Sequence, residues 1–257
     1  MKRKLIPICL LLAGIAIIYS SCKKTAVAPS GPALAPTVVA GQVALNISQS
    51  LFGGFGVDIS GGLSAPTTFA AHTSGKVLQS LTNPDCSLLI DTTMSYTGAV
   101  NGGSATIAGT FKFSFSCANN VVSGFTTVDT LAISFTSPDS SLTFRVGENL
   151  TLLSLNPANP NANLSLNGSL NSNGSYQFLT GTKKSGNEIF DYSLKSLIFS
   201  PAAGDIISGS AAFKTSGSGP KGVWNYQGTI VFLGNHLATV TINGKVYNVN
   251  LLTGVVS

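Results

Sequence analysis

Charge is scarce in this chain of 257 residues: Asp, Glu, Lys and Arg together make up only 9% of it. Imidazole is scarcer, with His72 and His236 alone, and there are four cysteines and one tryptophan. Neither histidine stands in sequence beside a cysteine pair, so the chain offers no zinc ligand set. The acids, among them Asp58, Asp91, Asp129, Asp139 and Asp205, lack the repeated spacing of a calcium loop. No basic stripe interleaved with aromatic residues is present, which removes nucleic acid as a partner. Nucleophile-elbow and phosphate-loop patterns are missing as well. "AAHTSGKV" sets His72 near Ser74 and Lys76 without a nearby acid, and reads as a loop. "GGFGVDISGG" follows a helical pattern where a phosphate cradle would follow a strand. No catalytic residue, metal or cofactor is therefore assigned. A non-enzymatic protein is expected, with a hydrolase assembled from separate strands as a remote alternative.

What the chain has instead is Ser, Gly, Thr and Asn in abundance, with many aliphatic residues. A polar, weakly charged surface over enough apolar residues to fill a core suits a β-protein outside the cytoplasm. The N-terminus agrees. "MKRK" is a basic start, "LIPICLLLAGIAIIY" is an apolar run, and "SSC" sets two small residues before Cys22. The run is short for a membrane span. These residues resemble a bacterial lipoprotein signal peptide, with Tyr19 where an aliphatic residue is usual; relaxed boxes of this kind are similar to those of Bacteroidota lipoproteins. The resemblance implies cleavage before Cys22 and acylation of that residue. It also implies a cell-envelope location, anchored by lipid to a membrane, the outer one by expectation. Residues 1–21 are then signal, 22–36 a Pro- and Ala-rich tether containing Pro29, Pro32 and Pro36, and 37–257 a single β-rich domain.

Within that domain, Val39, Val43, Ile47 and Leu51 recur at helical spacing, with Thr37 placed to cap and "FGGFG" to terminate; Val43, Leu45 and Ile47 also alternate, so a short strand competes with the expected helix. From Cys86 onward strands dominate. Asn101-Gly102 is a strong hairpin signal. A two-residue turn centred there pairs Val100 with Gly103, Tyr96 with Ile107, Ile90 with Phe113 and Cys86 with Cys117. Cys9 leaves with the signal and Cys22 carries lipid, so Cys86 and Cys117 remain as an even pair in an oxidising compartment. A disulfide is expected. Asn243-Gly244 predicts a second hairpin, with Val240 facing Tyr247 and Ala238 facing Val249. A loop at Ser185-Gly186-Asn187 predicts Lys184 beside Glu188 and Phe178 beside Leu194. "NPANPNANLSLNGSLNSNGS" reads as turns.

Consecutive hairpins make an antiparallel meander with one oily face. Such a sheet must curl into a barrel or half-barrel, close as a sandwich, or wrap the N-terminal helix. The expected fold is mainly β, a curled meander with one helix and the sandwich as alternative. Phe111, Phe113, Phe115, Phe135, Ile230 and Phe232 are candidates to line an apolar ligand site or to fill the core. Trp224 and Tyr226 share their phase with Ile230 and Phe232, which favours burial over sugar stacking. "DTL" at Asp129 resembles an O-glycosylation motif of some Bacteroidota, with Thr130 on the polar face; in "DTT" at Asp91, Thr92 falls on the apolar face. The functional expectation is a binding or structural lipoprotein whose partner is a hydrophobic ligand or an envelope protein. A surface adhesive that contacts glycan through its Ser/Thr/Asn face is the alternative.

Overall fold

The computed structural model describes residues 31–52, 86, 88–100, 102–159 and 161–257. The signal, Cys22 and the segment holding Asp58, His72, Ser74 and Lys76 lie outside those residues. Among the described residues, one helix, α1 (Pro36–Leu51), precedes ten strands. These are β1 (Leu89–Val100), β2 (Gly103–Ala118), β3 (Val121–Thr136), β4 (Ser140–Ser154), β5 (Leu164–Phe178), β6 (Ser185–Ser200), β7 (Asp205–Gly219), β8 (Gly222–Gly234), β9 (Leu237–Ile242) and β10 (Lys245–Asn250). Every strand pairs antiparallel with its neighbours in the chain, giving one open ten-stranded sheet in sequence order. The fold is the curled meander, a half-barrel, and the two-sheet sandwich does not form. No described helix is long and apolar enough to cross a membrane.

The half-barrel buries its oily face against α1. Val39, Ala40, Val43, Ala44, Ile47 and Leu51 are fully covered. They pack into one core with Leu166, Leu197, Phe199, Ile230, Val240 and Ile242 from the sheet. Gly41 approaches the chain's end so closely that a methyl there would run into the carbonyl oxygen of Gly254. The Tyr192 hydroxyl donates to the Val43 carbonyl at 3.1 Å, fixing the helix to β6. Thr37 is not the cap: Ala35 takes that position without a side-chain bond, and Pro36 opens the first turn. Proline's fixed φ and missing N–H suit that place.

Both Asn-Gly hairpins have the register that their turns dictate. Val100 pairs with Gly103, Tyr96 with Ile107 and Ile90 with Phe113. Val240 pairs with Tyr247 and Ala238 with Val249, across a turn in which Asn243 and Gly244 both take positive φ. Cys86 and Cys117 are joined as a disulfide with their Cα atoms 5.6 Å apart. Asn119 and Asn120 make a further positive-φ turn between β2 and β3.

Two expectations are corrected. The connection between β5 and β6 lies between Phe178 and Ser185, so Glu188 pairs with Gly174 and Leu194 with Gly168. Ser185-Gly186-Asn187 is strand: Gly186 is there because the Tyr176 ring lies against it. The Asn/Ser-rich stretch turns as expected before Leu164, but from Leu164 on it is not loop but β5, whose Leu164, Leu166 and Leu170 are buried while its Ser and Asn side chains largely face out. Pairing to β4 and β6 along its whole length outweighs its poor intrinsic strand preference.

Candidate functional site

The register carries one row of inward-facing residues across eight strands. It runs Tyr96, Ile107, Ile133, Phe144, Gly174, Glu188, Gly217, Trp224. Large residues alternate with glycines at its β5–β8 end, and each glycine makes room for a neighbour. A Cβ at Gly217 would collide with the Trp224 ring, one at Gly186 would sit 2.6 Å from Tyr176, and one at Gly174 would touch Phe144 at 3.3 Å and Glu188 Oε1 at 3.6 Å. The rings therefore lie down on the sheet and leave a hollow at this end of the half-barrel.

The hollow is closed from the other side by residues 32–34, which fall within the expected tether yet pack on the sheet. β9 pairs only with the second half of β8, so the first half is open to another strand. Residues 32–34 take it, with Leu34 N–H donating to the Val223 carbonyl at 2.8 Å and Val223 N–H to the Pro32 carbonyl at 3.2 Å. The Tyr226 hydroxyl fixes the Leu34 carbonyl at 2.8 Å. Leu34 and Gln42 thereby face Leu142, Phe144, Tyr176, Glu188 and Trp224 around a cavity of about 50 Å³. That is room for one or two waters or the end of a chain of two or three heavy atoms; an apolar cavity that holds benzene is about three times larger.

Two polar groups in this cavity stand out. Gln42 Oε1 is buried with no hydrogen-bond partner. Burial pushes the Glu188 carboxyl up from 4.5 to about 7, because the charged form loses water. Among the described residues no cation stands within ion-pair range of it. The Tyr176 hydroxyl is raised as well, first by burial and then by the Glu188 charge beside it. Trp224 Nε1 is already engaged, donating to Thr215 Oγ1 at 3.0 Å. Lys221, exposed, stands at the rim.

The six apolar residues proposed from sequence lie elsewhere on the inner face. Phe111, Phe113, Ile230 and Phe232 are buried in the core. Phe115 packs on its edge, 4.9 Å from the Phe113 ring, and Phe135 is half-buried toward the open end of β3. None of the six lines the mouth cavity. Thr130 is exposed on the outer face, its Oγ1 2.8 Å from that of Thr110, whereas Thr92 is buried. Deeper inside, the register sets Asp129 of β3 opposite Glu148 of β4. Burial raises Asp129 from 3.8 to about 6, partly offset by the Thr127 hydroxyl. Glu148 is almost fully covered and Asp129 partly so.

At the opposite end of the sheet His236 meets Asp205, Nδ1 to Oδ1 at 3.3 Å. Asp205 also accepts the backbone N–H groups of Ile206 and His236, at 2.8 and 2.9 Å. Asn235 and His236 both take positive φ in the β8–β9 turn, so Asp205 acts as a clamp on that turn.

Comparison with protein-family models, with curated proteins and with solved structures returned no match. The site must be read on its own chemistry. Sequence reasoning placed Trp224 on the inner face but missed Glu188, Gln42 and Leu34 as its companions. The signal available was the recurrence of glycine at 174, 186 and 217, residues whose lack of a side chain makes space for large ones across the strands.

Proposed function

We propose that this chain is a non-enzymatic lipoprotein of the cell envelope. Cys22 carries the lipid, the segment after it is the tether, and the half-barrel is a binding module. Its working site is the mouth cavity. The observation that carries this reading is a hollow made by small residues: rings seated over Gly174, Gly186 and Gly217, walled by Leu34, Leu142 and Phe144, and left unfilled by the described residues. Its size suits the end of an alkyl chain or side chain, not an enclosed lipid, so the ligand or partner inserts a terminal group and leaves its remainder outside. Each methylene buried contributes about 0.8 kcal/mol, so such a site recognises an end group at modest affinity. The chain's single tryptophan, Trp224, lines the cavity and is its reporter. Titration of the full chain with short straight-chain alcohols and amines should change its emission saturably. A linear, unsaturable response to every member of both series would sink the reading.

The adhesive alternative has its own observation. The outer face carries a row of polar side chains across seven strands: Thr97, Thr106, Ser134, Thr143, Ser175, Asn187, Ser218. Several of these spend their groups on one another, as Thr97 with Thr106 at 3.2 Å and Thr143 with Ser175 at 2.7 Å, which ranks the face second. Glycan capture abolished by Ser134→Lys, with the cavity titration flat, would reverse that order.

A further inference from the structure

We infer that the mouth cavity takes a primary alkylammonium group, with the ammonium against Glu188 and Gln42 and its methylene stem along Leu142 and Phe144. The inference rests on the binding-module reading and names its ligand class. Three observations on the same residues lead to it. The polar atoms facing the hollow include Gln42 Oε1, buried with no hydrogen-bond partner, and the half-buried Glu188 carboxylate, with no cation in ion-pair range among the described residues. A buried acceptor left unmatched is costly, and a donor that satisfies it recovers that cost. An ammonium brings three donors and a charge, whereas a hydroxyl brings one donor and no charge.

The walls agree with the head. Tyr176, Trp224 and Phe144 line the hollow, and aromatic rings attract cations within about 6 Å of their centres. Size decides between kinds of cation. About 50 Å³ accepts an ammonium with one or two methylenes; a quaternary group carries four carbons around its nitrogen and overfills it. Burial that holds Glu188 near neutrality in the empty site also means that an arriving cation gains a carboxylate in a medium where the pair attracts strongly. Lys221 at the rim favours ligands in which an anionic group follows the ammonium, as in an ethanolamine phosphate head.

The test is titration of the full chain at pH 8, following Trp224 emission, with n-propylamine, n-propanol and tetramethylammonium. The expected result is saturable binding of propylamine, with propanol and tetramethylammonium at least tenfold weaker. Glu188→Gln, nearly the same shape, should weaken propylamine about thirtyfold, the lower range for removing one member of a buried charge pair, and so erase its preference over propanol. Gln42→Leu, which keeps the carboxylate, should weaken it severalfold; circular dichroism confirms that both variants are folded. Equal binding of propylamine and propanol, or propylamine binding indifferent to Glu188→Gln, overturns the inference while the binding module stands. Saturation by neither overturns both. Vesicles of phosphatidylethanolamine and of phosphatidylcholine then separate the sources, since only the first lipid has a primary ammonium. Competition by the first alone identifies a lipid headgroup, sensitive to Lys221→Ala; competition by neither identifies a free amine.

Discussion

Replacing Glu188 with glutamine should flatten part of the protein's dependence on pH. In the unfolded chain this carboxyl titrates near 4.5, and in the native protein burial raises it to about 7. Between those values the native state keeps a proton that the unfolded chain has released. Stability then falls by about 1.4 kcal/mol per pH unit, and by about 3 kcal/mol across the window. The contribution is fully present below pH 4.5, is lost as pH rises through 7, and does not change further above. Glutamine is neutral throughout and nearly isosteric. Glu188→Gln should therefore match the parent within about 1 kcal/mol at pH 4 and exceed it by about 3 kcal/mol at pH 8. Asp129 is raised in the same direction, but it is present in both proteins and drops out of the difference. Urea unfolding between pH 4 and 8 measures the gap. A gap that stays constant with pH would show that Glu188 is not desolvated in the native state, and the electrostatic account of the cavity would be wrong.

Reduction of the Cys86–Cys117 bond, which closes a separation of 31 residues, should lower stability by about 2–4 kcal/mol, read as a shift in the urea midpoint with dithiothreitol. Gly41→Ala, forced against the Gly254 carbonyl, should cost about 1–3 kcal/mol in the same assay. Gly217→Ala should displace the Trp224 ring and shift its emission maximum toward that of exposed tryptophan. Cys22→Ala should move the protein from the membrane fraction to the soluble fraction on cell fractionation; unchanged membrane association would remove the lipid anchor from the functional reading.

The parts of the fold legible in the sequence are those where one residue type has one use. Asn101-Gly102 and Asn243-Gly244 could only be turns, and each fixed a hairpin's register without help from the rest of the chain. The spacing from Val39 to Leu51 was less decisive, because Val43, Leu45 and Ile47 also alternate as in a strand; the segment is helix. Glycine at 186 had two readings, a turn or a space for a ring, and only the position of Tyr176 across the strand separates them. β5 was illegible for a related reason: Ser, Asn and Gly are poor strand formers alone, and their place is settled by β4 and β6 on either side. The same limit hid the site. Glu188 lies 14 residues from Gly174 and 29 from Gly217, and its burial is a product of three strands in register. Leu34 enters through a bridge to Val223, nearly two hundred residues later, which no local pattern announces.

The helix made first in this chain completes its cover last. Every strand of the meander can pair with the one just synthesised, so the sheet can grow as the polypeptide emerges. α1 gains cover from β5 and β6 as they form but cannot settle fully, because Gly41 rests against Gly254 and Val256. Until residues 254–256 are made, the helix surface around Gly41 lacks its native cover. Losing even the final few residues should therefore behave like a failure of the whole domain to mature.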